Sequence, residues 1–424
     1  MRRRQFSFRA NERKHTEDYP MISVGPAVEH SRETLADRAF SSLGQGVGRK
    51  VRRLKPQTCR ITRNCTMWVS LLAITFSSGL VSAQTKTVNI APQVARQDFD
   101  VDSDPGIRIF VREIHAVCGI AKDNGVPILL VHGARPAGVG WFDLDVPGGS
   151  LAADIAAAGH IVFVMDVRGY GASTRPPEMS QEPTANPPLV RSSEAVHDIR
   201  AVVDWIRQKL GVNRVALLGW ATGGHWSGYY ASLYSERVSH LILVNTLYGA
   251  SSAWPLRTDF EDPKAPGRFN FSALGAYYFA TAQSLLARWD RSIPATDRSS
   301  WRDPAVVSAY VSAALDSDPT SRSRNPASLR IPVGPLEDSF YLSMGRQFWD
   351  ASLIRVPTLI LRSELDFWSR SDDVKRLSEH LVHAPEVRMV ELPQATHYVL
   401  LDRPEHGRTT LLQEVVSFLA QSTR

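Results

Sequence analysis

From Asp98 to the C-terminus, short unbroken apolar runs alternate with amphipathic segments, and this alternation constrains the fold more than any other feature. "VPILLVHG" (Val126 to Gly133) and "GHIVFVMDVRG" (Gly159 to Gly169) lack the polar alternation of a half-exposed strand. They predict strands buried on both faces. "GSLAADIAAAG" between them predicts a helix. Ser193 is placed to cap a long helix whose apolar positions are Ala195, Val196, Ile199, Val202, Val203, Ile206 and Leu210, a 3.6-residue period. "RVALLGW", "VSHLILVNT", "VPTLILRSELD" and "EVRMVELP" predict further strands, and "TTLLQEVVSFLAQ" a closing helix with Leu411, Leu412, Val415, Val416 and Leu419 on one face. "DFDVDSD" and "IRIFVREIH" predict a hairpin around Asp104-Pro105-Gly106. Strands and helices in this order imply an α/β fold with a mostly parallel sheet covered on both faces. Such sheets bind ligands at the carboxyl ends of their strands. One interruption, approximately 250–353, is rich in Trp, Tyr, Arg and Pro and reads as an inserted helical cap without strand-like runs.

Charge is unevenly distributed along the chain. Residues 1–83 hold 15 Lys and Arg against 6 Asp and Glu, which leaves 34 against 37 in the rest of the 424 residues. The body is therefore mildly acidic, and the overall net charge of +6 gives no ground for a nucleic-acid partner. The long apolar run Trp68 to Ala83 is about 16 residues, short for a membrane span. It follows a basic segment and ends in Val81-Ser82-Ala83, the layout of a secretory signal cleaved after Ala83. The expectation is a leader over 1–83, a body over 84–424 in the periplasm or medium, and no stable membrane insertion once the leader is removed. An uncleaved N-terminal anchor is the alternative. Residues 1–50 are polar and aperiodic, and a natural start near Val51 or Met67 is expected. Cys59 and Cys65 fall in the leader, so the body keeps Cys118 alone, can form no internal disulfide, and is expected to pack that thiol structurally.

The chemistry centres on "GWATG" (Gly219 to Gly223), a strand followed by a sharp glycine-flanked turn and then a helix. Four other motifs surround it in order: "HG" (His132-Gly133), "DVRGYGAS" (Asp166 to Ser173), "SELDFW" with Asp366, and "ATHYVLLDRPE" with His397. Over some 320 residues this series resembles the α/β-hydrolase superfamily, in which a G-x-S-x-G elbow presents a nucleophilic serine above the sheet. The resemblance implies that His397 is the general base and Asp366 its orienting acid. It implies an oxyanion hole from the backbone N–H groups of Ala134 and Thr222. His132, Trp220 and Trp368 are expected in the wall of the substrate pocket.

At the nucleophile position stands Ala221, and a methyl group cannot attack a carbonyl. Three explanations are open. The alanine replaces a serine and traps substrate, or the pocket works without a covalent step, or a neighbour such as Thr222, His225 or Ser227 substitutes. His225 reads as a helix residue packed beside the pocket. Asp166 and Arg168 read as a structural loop network, and Trp205 and Trp289 as packed helix residues. The chain shows no His/Cys/Glu cluster at metal-ligand spacing and no phosphate loop, so neither metal nor cofactor is expected. The partner is expected to be a small apolar or aromatic ester-like molecule. Three functions fit: an ester hydrolase lacking its nucleophile, a non-catalytic binding protein, and an enzyme using the His-Asp pair as a base alone.

Overall fold

The computed structural model describes residues 93–117 and 125–421. The leader and Cys118 lie outside the described residues. Among the described residues ten strands are present: β1 (Val94–Asp102), β2 (Arg108–Ala116), β3 (Ile128–Val131), β4 (Val162–Met165), β5 (Val215–Trp220), β6 (Val238–Val244), β7 (Tyr277–Thr281), β8 (Ser328–Pro332), β9 (Thr358–Leu365) and β10 (Val387–Thr396). Eight form one sheet in the order β1-β2-β4-β3-β5-β6-β9-β10. The β1–β2 hairpin and the β2–β4 pair are antiparallel, and every other pairing in this sheet is parallel.

The apolar runs explain why the middle of the sheet is where it is. Every residue of β3, β4, β5 and β6 is buried. Each Val, Leu or Ile withdrawn from water in this way contributes about 1.5–3 kcal/mol. The helix Ser192–Leu210 turns Ala195, Val196, Ile199, Val202, Val203 and Ile206 inward and stops at Gly211, whose φ of 66° is the left-handed end that glycine accepts. It starts earlier than the Ser193 cap predicts. Arg191 occupies the cap position, its backbone N–H donating to Glu194. Ser192 instead spends its hydroxyl on Asp338 and His225. The closing helix Thr409–Leu419 buries Leu411, Val415, Phe418 and Leu419.

Between β6 and β9 the chain forms several helices, the longest being Ala282–Ser292, Pro304–Asp316 and Gly334–Ser343, joined by long irregular stretches. The expectation of no strand there needs correction. Tyr277–Thr281 and Ser328–Pro332 pair antiparallel as a separate ribbon. Among the described residues no helix is long and apolar enough to cross a membrane.

Candidate active site

β5 delivers residue 221 to a sharp turn. Ala221 has φ 53° and ψ −116°, and the helix Thr222–Leu233 starts immediately after it. This is a sparsely populated region for any residue with a Cβ, and strain of this kind concentrates at functional sites. The flanking glycines are required by close approach. A Cβ on Gly219 would lie 2.3 Å from the Gly223 carbonyl oxygen, and one on Gly223 would lie 2.2 Å from that of Val131. The hydrogen bonds from the N–H of Gly224 and His225 to the Ala221 carbonyl fix the first helical turn.

Asp366 sits just beyond β9 and His397 just beyond β10. The His397 Nδ1–H donates to Asp366 Oδ1 at 2.6 Å. Asp366 is held in turn by the N–H of Trp368 at 2.9 Å, the N–H of Ser369 at 2.8 Å, and the Ser369 hydroxyl. That arrangement fixes the tautomer and leaves His397 Nε2 without a partner among the described residues. Trp220 and Phe367 flank the imidazole, each with its centroid 4.7 Å away. The carbonyl of His397 accepts from Trp220 Nε1 at 3.1 Å and from Asn245 Nδ2 at 3.3 Å. Both ends of the histidine are therefore positioned by residues from β5, β6 and β9.

Ala221, His397 and both oxyanion candidates border one cavity. It has a volume of about 440 Å³, open solvent at its mouth included. Arg288, Tyr310 and Leu336 come from the segment between β6 and β9, and Arg135, Trp141, Trp220, Phe367, Trp368 and Tyr398 complete the wall. The backbone N–H groups of Ala134 and Thr222 border it with no hydrogen-bond partner among the described residues.

His132 does not line the cavity, and its expected place in the pocket wall is corrected here. It is fully buried, its Nδ1–H donates to the Gly133 carbonyl at 2.6 Å, and its Nε2 accepts from the Val167 N–H at 3.0 Å. With both ring nitrogens committed to backbone, it shapes the loop that carries Ala134. Burial pushes its pKa down to about 4. Gly133 beside it allows Trp220 to pass, since a Cβ there would lie 2.7 Å from that ring. His225 packs under the elbow as read. Its Nδ1 accepts from Trp349 Nε1 at 3.0 Å and its Nε2 meets the Ser192 hydroxyl at 2.9 Å. Burial lowers its pKa to about 4 as well, so it is a neutral structural ring.

Asp166 accepts from the N–H groups of Gly138 and Ala172, and Arg168 is paired with the buried Asp198 at 2.7 Å, a loop network as read. Trp289 stacks on Tyr398 at 4.9 Å and donates to Asp402. The sequence reading missed Arg135, Arg288, Tyr310, Phe367, Tyr398 and Asn245. Three of these were accessible to it: Arg135 directly follows Ala134, Phe367 directly follows Asp366, and Tyr398 directly follows His397.

The family model described as the alpha/beta hydrolase fold matches residues 126–404. The chain belongs to that family. It is 32% identical over 153 residues to a 1-acylglycerol-3-phosphate O-acyltransferase, ABHD5, of Sus scrofa, covering 36% of this chain and 37% of that one. The chain thus spans little more than a third of that relative's length. It is 23% identical over 310 residues to a proline iminopeptidase of Neisseria gonorrhoeae, covering 66% of this chain and 87% of the relative. Among solved structures, the enol-lactonase from Burkholderia xenovorans LB400 aligns with a TM-score of 0.49 and 18% identity over 76% of this chain and all of that one.

Proposed function

We propose that this protein binds a small acyl compound of the carboxylic ester type, in a hydrolase site complete except for the attacking oxygen. The observation that carries this reading is the strained elbow conformation kept at Ala221, beside an intact His397–Asp366 pair and two unpartnered N–H groups. The ligand's carbonyl oxygen would accept from Ala134 and Thr222. With a methyl at 221, no acyl-enzyme can form at that residue.

The free Nε2 of His397 favours a second step. It takes a proton from water, the water oxygen adds to the carbonyl carbon, and the oxyanion charge faces the two N–H groups. The imidazolium then returns the proton to the leaving alkoxide as the carbon–oxygen bond breaks. This route runs on the order of 10⁶ below that of a serine hydrolase.

The test is intact-mass spectrometry and steady-state turnover of 4-nitrophenyl acetate, comparing the native chain with His397→Ala. Binding without an adduct, and slow hydrolysis abolished in the variant, are expected. An acyl adduct on Thr222 or Ser227 of the native chain would overturn the reading. Export is proposed from the 1–83 leader alone. It is checked by N-terminal sequencing of protein recovered outside the cytoplasm, where Gln84 is expected first.

A further inference from the structure

We propose that the cavity selects acyl compounds carrying a carboxylate, with Arg135 as the partner of that group and Arg288 as a second donor. The proposal rests on the acyl-binding reading above and names the substrate class within it.

Arg135 follows the oxyanion residue Ala134, and its side chain borders the same cavity. Among the described residues its guanidinium makes no side-chain hydrogen bond or ion pair. Its recorded neighbour is the face of Tyr278, 5.6 Å from the ring centroid. Arg135 is half-buried, and arginines buried more deeply elsewhere are paired. Arg168 meets Asp198 at 2.7 Å, Arg370 meets Asp373 at 2.8 Å, and Arg408 meets Asp154 at 2.7 Å. A guanidinium always carries its charge and offers five donors, and a desolvated cation without a partner is costly.

The second arginine sharpens the imbalance. Arg288 contributes one nitrogen to Asp259 at 3.0 Å, and that carboxylate is half exposed. Burial, and after it the charge of Arg135, lower the Arg288 pKa. The two cations therefore repel each other across the cavity. For Arg135 burial acts most strongly and against the charge. Its pKa is nonetheless raised overall, first by the hydroxyls of Tyr278 and Tyr398. Such hydroxyls are neutral near pH 7.

No Asp or Glu lines this wall. Asp366 lines up wholly with His397, Trp368 and Ser369. Trp368 Nε1 and Thr222 Oγ1 are buried without partners. A wholly apolar ester would bury the Arg135 cation uncompensated, whereas a carboxylate near the acyl group relieves its repulsion with Arg288 and can accept in bidentate fashion. The expected apolar or aromatic ligand is thus refined to one with an anionic end.

Calorimetry on the native chain, with monomethyl succinate and dimethyl succinate as probes, tests this. The half-ester is expected to bind at least about tenfold more tightly, as a charge-assisted hydrogen bond allows. In Arg135→Gln this ratio should fall to within about twofold, and Arg135→Lys should recover part of it. Arg288→Gln should lower it in between, which keeps the test open if Arg135→Gln fails to fold. Equal or tighter binding of dimethyl succinate by the native chain overturns the carboxylate proposal and leaves acyl binding standing. Failure of both probes to bind overturns it too, and the acyl-binding reading is then judged separately by esterase activity in Ala221→Ser.

Discussion

Replacing Ala221 with glycine should leave stability nearly unchanged, although a buried methyl is lost. At φ 53° and ψ −116° the alanine stores strain of order 1–3 kcal/mol, which glycine does not carry. Against that relief stand about 0.8 kcal/mol for the methyl and about 0.5–1 kcal/mol for the greater freedom of unfolded glycine. The terms nearly cancel, so the change should lie within about 1 kcal/mol of zero. Ala231 is the control: it is fully buried in the regular helix Thr222–Leu233. There no strain is relieved, and Ala231→Gly should cost about 2 kcal/mol. Urea unfolding of the three proteins, with comparable m-values, gives both differences. A loss of 2 kcal/mol or more in Ala221→Gly, matching the control, would refute stored strain at the elbow.

Gly219→Ala should destabilise by about 2–3 kcal/mol or more, because its Cβ would meet the backbone atoms Gly223 O at 2.3 Å and Gly224 Cα at 2.5 Å; denaturant midpoints check it. Asn245→Ala should cost about 2–3 kcal/mol by leaving the Ser363 N–H and the His397 carbonyl short of a partner, and should shift the His397 ring resonances in NMR spectra. In pH titrations by NMR, the rings of His132 and His225 should stay neutral until about pH 4. Their folded pKa values lie below the ordinary one, so the unfolded chain takes up protons first. The stability they contribute is whole above about pH 6.5 and falls toward pH 4, by up to about 3 kcal/mol each. Asp402, raised to about 6 by burial, acts in the opposite direction over its own range. Ring titration of either histidine near pH 6.5 in the folded protein would contradict this account.

How much was legible in the sequence follows from how local each signal is. The elbow, its glycines and the His397–Asp366 pair could be read because each ends a strand marked by its own apolar run. His132 was misplaced for the same reason. It closes β3 beside the oxyanion loop, but which way its lone pair points depends on the Val167 N–H, a contact made across strands. The ribbon between β6 and β9 was invisible because Tyr277–Thr281 runs straight into the helix Ala282–Ser292, and its partner Ser328–Pro332 lies some 50 residues away. Arg288 and Tyr310 reach the cavity through the packing of the helices Ala282–Ser292 and Pro304–Asp316, an orientation that periodicity does not encode.

Ester hydrolysis by Ala221→Ser tests the central claim most directly. The substitution adds one oxygen at a strained turn beside the proposed base His397, its partner Asp366 and the proposed oxyanion donors. Turnover of 4-nitrophenyl acetate should rise by on the order of 10³ or more over the native chain. An initial burst should report an acyl-enzyme on residue 221, and addition of His397→Ala should abolish both. A folded Ala221→Ser protein that shows neither burst nor turnover across short-chain and carboxylate-bearing esters would contradict the account.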